Sequence, residues 1–167
     1  GSGTGCTHHR PKRRRAIHPL VMSYVVITAA EARAIEQAAC TKMDLPLLSL
    51  MQSAGEAAAR LVQTLYPSGR IVVLCGPGGN GGDGYVAARF LLAEGRSVSV
   101  ISSRPIETLS GDTRKMAHAW TACGGITAVF GNESLGHLDA SDVIIDALFG
   151  AGLSKDVPKL VVDLFAK

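Results

Sequence analysis

The sequence predicts an α/β protein of three layers, αβα, built on a doubly wound and mainly parallel sheet. Three observations carry that prediction. From Arg70 onward, short β-branched runs alternate with helical stretches, the order that a parallel sheet with crossover helices requires. The run Ile71-Val72-Val73-Leu74 is continuously apolar, as strands covered on both faces are. Glycine-rich segments follow two of the strand-like runs, after Cys75 and after Leu148, and in such sheets ligands bind beyond the carboxyl ends of the strands.

Two helices precede the alternating part. Thr28-Ala29-Ala30-Glu31 has the spacing of a capping box, in which hydroxyl and carboxylate each satisfy one free N–H of a helix start, and the helix runs to about Lys42. Asp44 to Pro46 interrupts. A second helix over about Leu47 to Leu65 has Leu50, Met51, Ala54, Ala58, Leu61 and Val62 at helical spacing, and Pro67-Ser68-Gly69 ends it. The first strand, Arg70 to Cys75, leads into the glycine-rich loop, and a helix follows over Tyr85 to Glu94 with Gly95 as its stop. Ser97 to Ile101 is the next strand, Thr113 to Cys123 the next helix, and Ile126 to Phe130 a short strand after Gly124-Gly125. Val143 to Leu148 reads as another buried strand, closed by a loop over Phe149 to Lys155. Asp156 to Lys167 opens a last helix, with Pro158 tolerable in its first turn.

Composition narrows the function classes. With 167 residues, 47% apolar and 19% charged, the chain is long enough for one substantial core, and one domain over residues 23–167 is expected. The formal charge of +3 misleads, because Arg10, Lys12, Arg13, Arg14 and Arg15 lie in a leader without acids. Without these five, 12 basic residues face 14 acidic ones and the remainder carries about −2. That balance gives no footprint for nucleic acid, which demands clustered cations. Residues 1–22 read as a disordered leader or expression remnant, with a targeting segment as the lesser alternative. The best apolar run, Val21 to Ala30, falls short of the roughly 20 residues of a membrane span. Cys6, Cys40, Cys75 and Cys123 are widely spaced and form no CxxC, so reduced thiols in a cytoplasmic protein are expected.

The chemistry concentrates in two loops. Gly76-Pro77-Gly78-Gly79-Asn80-Gly81 fits G-x-G-x-x-G between a strand and a helix, the Rossmann-like dinucleotide pattern. Alone it is weak. Asp83 stands where a carboxylate would repel a pyrophosphate, and no lysine follows to make a Walker loop. Asp83 as a plain helix cap is the bland alternative. Six glycines around Asn80 and Asp83 point instead to a backbone crowded against something bound. In the second loop, Asp146 ends an apolar strand, where an unpartnered charge is costly. It therefore needs a cation, a helix terminus or hydrogen-bond donors. An ordinary NAD-dependent oxidoreductase lacks support, because no acid ends the strand near Val100-Ile101.

Taken together, these segments resemble the NAD(P)HX epimerase family, the YjeF N-terminal type. Gly76 to Gly84 is similar to its G-P-G-N-N-G-G-D-G loop and Asp146 to Ser154 to its D-A-L-F-G-T-G-L-S stretch. Ile27 to Glu31 and Leu50 to Gly55 resemble its two opening helices, so the likeness spans Val26 to Lys167 in order. The resemblance implies interconversion of the R and S epimers of hydrated NADH and NADPH at nicotinamide C6, serving a dehydratase that is fused or separate, with a homodimer as an allowed assembly. It implies potassium (K+) as cofactor, held by Asn80 and Asp146, whose hard oxygens suit that ion and are expected to converge on one site. It also implies substrate contacts from Gly79, Asn80, Gly81, Gly82 and Asp83 and from Gly150, Ala151, Gly152, Leu153, Ser154, Lys155 and Asp156. For Lys155 a solvated surface charge stands equally open.

Departures from the family pattern bear on the site. Gly79 replaces the first Asn of the loop, and Gln52-Ser53 replaces a common Glu-Asn pair. The family continues with D-I-P-S-G, which would supply a further Asp and a potassium-binding Ser beyond Lys167. The resemblance therefore implies that residues 1–167 alone turn over little. A non-catalytic ligand- or protein-binding module of the same type is the alternative, since the fold also resembles a domain of an mRNA-decapping scaffold and of an apolipoprotein-binding protein.

Overall fold

Two helices lead the fold: α1, Ala29–Lys42, and α2, Leu47–Leu65. The computed structural model describes residues 26–131, 138, 142–151, 157 and 161–162. The capping box expected at α1 is present, with Thr28 Oγ1 accepting from the Glu31 N–H at 3.2 Å and a Glu31 carboxylate oxygen accepting from the Thr28 N–H at 2.7 Å. Helix α2 buries Met51, Gly55 and Ala59 and half-buries Leu48, Ala58 and Val62. Ala54 and Leu61, expected on that apolar face, are exposed. The buried line steps by four residues from Met51, which carries Leu61 around to solvent.

Among the described residues the sheet has four parallel strands in the order β3-β2-β1-β4, where β1 is Ile71–Cys75, β2 Val98–Ser102, β3 Thr127–Val129 and β4 Val143–Ala147. Helices α3, Gly79–Ala93, and α4, Gly111–Ala122, lie between them in sequence, with a short 3-10 turn over Ile106–Thr108. Strand β1 is buried along its whole length. Alternate residues serve opposite faces: Ile71, Val73 and Cys75 join a core with Tyr85, Leu91, Met116 and Trp120, while Val72 and Leu74 pack with Ile101, Leu148 and Val161. Helices thus cover both faces of the central strand. Of the last expected helix, Asp156 to Lys167, three residues are described: Val157 lies outside any helix, and Val161 and Val162 are helical.

Strand β4 departs from the expected buried strand. Val143 and Ala147 are buried, but Ile144 and Asp146 are exposed, because the pleat turns these two to a face that the described residues leave open. Helix α3 departs further. It starts at Gly79, inside the glycine-rich segment, six residues before the expected start at Tyr85.

Trp120 anchors the α4 side. Its ring is fully buried, its Nε1–H donates to Thr127 Oγ1 at 3.1 Å, and Gly125 lies so close that a Cβ there would meet the indole. Trp120→Ala should cost about 3–5 kcal/mol, lowering the melting temperature by roughly 10 °C or more. A loss below about 1 kcal/mol in a thermal melt would contradict this packing.

Candidate active site

The strand order reverses at β1: β2 and β3 lie on one side, β4 on the other. In a doubly wound sheet, this switch point opens a crevice at the carboxyl ends. The Gly76 N–H donates to Ala147 O at 2.9 Å and the Ser103 N–H to Cys75 O at 2.9 Å. The chain leaving β1 is thereby tied to the ends of both neighbours.

The glycines have separable reasons. A Cβ on Gly76 would strike the Leu148 carbonyl, one on Gly81 the Gly76 backbone, one on Gly82 the Met51 thioether, and one on Gly84 Ala147 and Cys75. Their crowding is against the protein itself, which corrects the expectation that a bound molecule crowds them all. Gly78 and Gly79 alone in this segment face open space. Gly78 caps α3 without a side-chain bond, and the first helical bond runs from the Gly82 N–H to Gly78 O at 3.2 Å. The N–H groups of Gly79, Asn80 and Gly81 precede it, lack partners within the helix and suit an anion. Thr113 Oγ1 steadies the turn by donating to Gly78 O at 3.0 Å.

Asp83 is the fifth residue of α3, which removes the capping alternative. It is half-buried. Burial, with the Glu36 carboxylate of α1 adding to it, pushes its carboxyl up to about 6. The group can therefore change protonation near neutrality. The neighbouring Cys75 thiol is buried and its pKa is raised by desolvation, which makes it a poor nucleophile. Tyr85 is held at about 12, chiefly by burial and against the opposing influence of Ser102. Its hydroxyl makes no hydrogen bond of ordinary geometry.

Asn80 bridges the two loops. Its Nδ2 donates to Phe149 O at 3.0 Å, and Gly150 lies so close that an added Cβ would sit 3.3 Å from the Asn80 Cβ. Asp146 Oδ1 accepts from the Leu148 N–H at 3.0 Å, the backbone donor that a carboxylate at a strand end needs. Gly79, Asn80, Gly81, Gly82 and Asp83 thus follow β1 and Gly150 and Ala151 follow β4, with Gly81 and Gly82 buried, whereas Gly152, Leu153, Ser154, Lys155 and Asp156 lie outside the described residues. Sequence reasoning missed three neighbours. Arg33 Nη1 of α1 donates to Ala151 O at 3.2 Å, the Glu36 carboxylate adds its charge to the surroundings of Asp83, and Thr113 holds Gly78. Arg33 and Glu36 sit three apart on α1, a same-face spacing, and that was the available signal.

With this geometry, the comparisons are specific. The family described as YjeF-related protein N-terminus matches residues 47–167, from the first residue of α2 onward. The chain belongs to the YjeF-related N-terminal family. An NAD(P)H-hydrate epimerase of Rhodopirellula baltica is 35% identical over 133 residues, covering 79% of this chain and 54% of that protein. The bifunctional NAD(P)H-hydrate repair enzyme Nnr of Escherichia coli K12 is 34% identical over 148 residues, 88% of this chain and 27% of that protein. The chain thus spans about half the length of the first relative and about a quarter of the second. The crystal structure of yeast ynu0 superposes with a TM-score of 0.75 at 24% identity, covering 85% of this chain and 65% of the yeast chain. That likeness establishes the α/β fold of this YjeF-related chain.

Proposed function

We propose that this YjeF-related chain is the epimerase domain of nicotinamide-nucleotide repair, interconverting the R and S epimers of NADHX and NADPHX so that a dehydratase, fused or separate, can use both. One observation carries the reading: a half-buried carboxyl titrating near 6, Asp83, stands one turn inside a helix whose N-terminus has no side-chain cap and opens on the switch point. The N–H groups of Gly79 to Gly81 would take the pyrophosphate, and Gly150 and Ala151 would border the nicotinamide half. Inverting C6 requires the C6–O bond to break, with a proton delivered to the departing oxygen, and water to return on the other face while releasing a proton. Asp83, its carboxyl raised by burial, would hold and give up such a proton.

Potassium fits the donor set. With its nitrogen committed to Phe149 O, Asn80 has its amide oxygen as metal donor, and Asp146 offers a carboxylate on the strand that pairs with β1; both are hard ligands. When bound, the ion would supply positive charge beside the anionic substrate. Free Cys40, Cys75 and Cys123 support a cytoplasmic setting, and no described helix is long and apolar enough to cross a membrane.

The test follows NADHX and NADPHX epimers by chromatography with the full native chain. Equilibration faster than in buffer is expected, slowing when a bulky organic cation replaces potassium. Dinucleotide binding without acceleration would instead favour the non-catalytic module.

A further inference from the structure

If the pyrophosphate sits on α3 and the nicotinamide half lies over β4, the adenosine half must extend over the opposite neighbour of β1, which is β2. In doubly wound dinucleotide sites, the end of that strand reads the adenosine ribose. An acid there accepts the 2′-hydroxyl, and a nearby arginine accommodates a 2′-phosphate. Strand β2 ends at Ser102, followed by Ser103 and Arg104 with no acid before Glu107.

Two contacts place this turn at the crevice. The Ser103 N–H donates to Cys75 O at 2.9 Å, directly before the glycine-rich segment, and the Arg104 N–H lies 3.5 Å from Ser102 Oγ. Ser103 Oγ is buried without a hydrogen-bond partner, a state that costs free energy unless something else fills it. Arg104 is exposed and joins none of the ion pairs among the described residues.

Resting on the epimerase reading, we infer that Arg104, with Ser103 beside it, is a specificity-determining residue that binds the 2′-phosphate and makes this chain prefer NADPH-derived dinucleotides. A guanidinium presents paired donors matched to phosphate oxygens. The contact has nothing to engage on an NADH-derived ribose.

The test titrates the full chain with NADP+, NAD+, 2′,5′-ADP and 5′-AMP at fixed salt. NADP+ should bind at least roughly tenfold more tightly than NAD+, as a charged hydrogen bond allows, and 2′,5′-ADP should compete better than 5′-AMP. Arg104→Ala should bring the NADP+/NAD+ ratio close to one without moving the melting temperature, and Arg104→Lys should keep part of it. Equal binding of both dinucleotides by the parent overturns this inference and leaves the epimerase reading intact. Binding of neither overturns both.

Discussion

Replacing Asp83 with asparagine should slow epimer interconversion by at least about a hundredfold, the typical contribution of a positioned acid–base group, while stabilising the folded protein at neutral pH. The stability effect follows from linkage. The carboxyl titrates near 6 in the fold, against an ordinary value of 3.8. Between these values the native state holds a proton that the unfolded chain has released, so stability falls as pH rises through the window. Above about 6 the parent carries the full burden of a half-buried charge beside Glu36, and asparagine does not. Allowing for partial solvent access, the gain should be about 1 kcal/mol, or roughly 2–4 °C in melting temperature. The difference should be largest at pH 7–8 and shrink towards pH 4. A pH-independent difference would remove Asp83 as the titrating group, and an undiminished rate would remove it from the chemistry.

The second large effect separates two neighbouring glycines. Gly81→Ala places a methyl against the Gly76 carbonyl, where backbone meets backbone and neither can rotate away. A loss of about 2–4 kcal/mol is expected, together with loss of dinucleotide binding. Gly79→Ala meets open space at the first helical position, so stability should hold or rise by about 0.4–1 kcal/mol. Its methyl would nevertheless stand where a phosphate must approach the backbone, and affinity should fall about tenfold. Calorimetric melts and NAD+ titrations of both variants decide the matter. A stable Gly81→Ala, or a Gly79→Ala that binds like the parent, would contradict these roles.

Much of this arrangement was legible because local signals agreed with it. The Thr28 to Glu31 capping box, the unbroken apolar run of β1 and the stop at Gly95, which has φ +76°, each depend on a few adjacent residues. The start of α3 was not legible. Glycine is a poor helix former, and Gly79 to Gly84 reads as loop until the packing of Gly81 against Gly76, of Gly82 against Met51 and of Gly84 against Ala147 and Cys75 supplies the reason for having no side chains there. The exposure of Asp146 escaped because an apolar run does not say which alternate residues meet a covering layer. The approach of Arg33 to Ala151, 118 positions later, leaves no local trace.

The strand order also sets a sequence of events in time. Strand β1 must find β4 across a long stretch of chain, with the Arg70 N–H accepted by Asp142 Oδ2 72 positions away, whereas β1, α3 and β2 form one local unit. Closing the larger loop carries the greater chain-entropy cost, and non-local parallel pairing is slow. The β4 side of the site does not exist until that pairing is complete, so a chain with only its first two strands formed has the glycine turn but no β4 beside it.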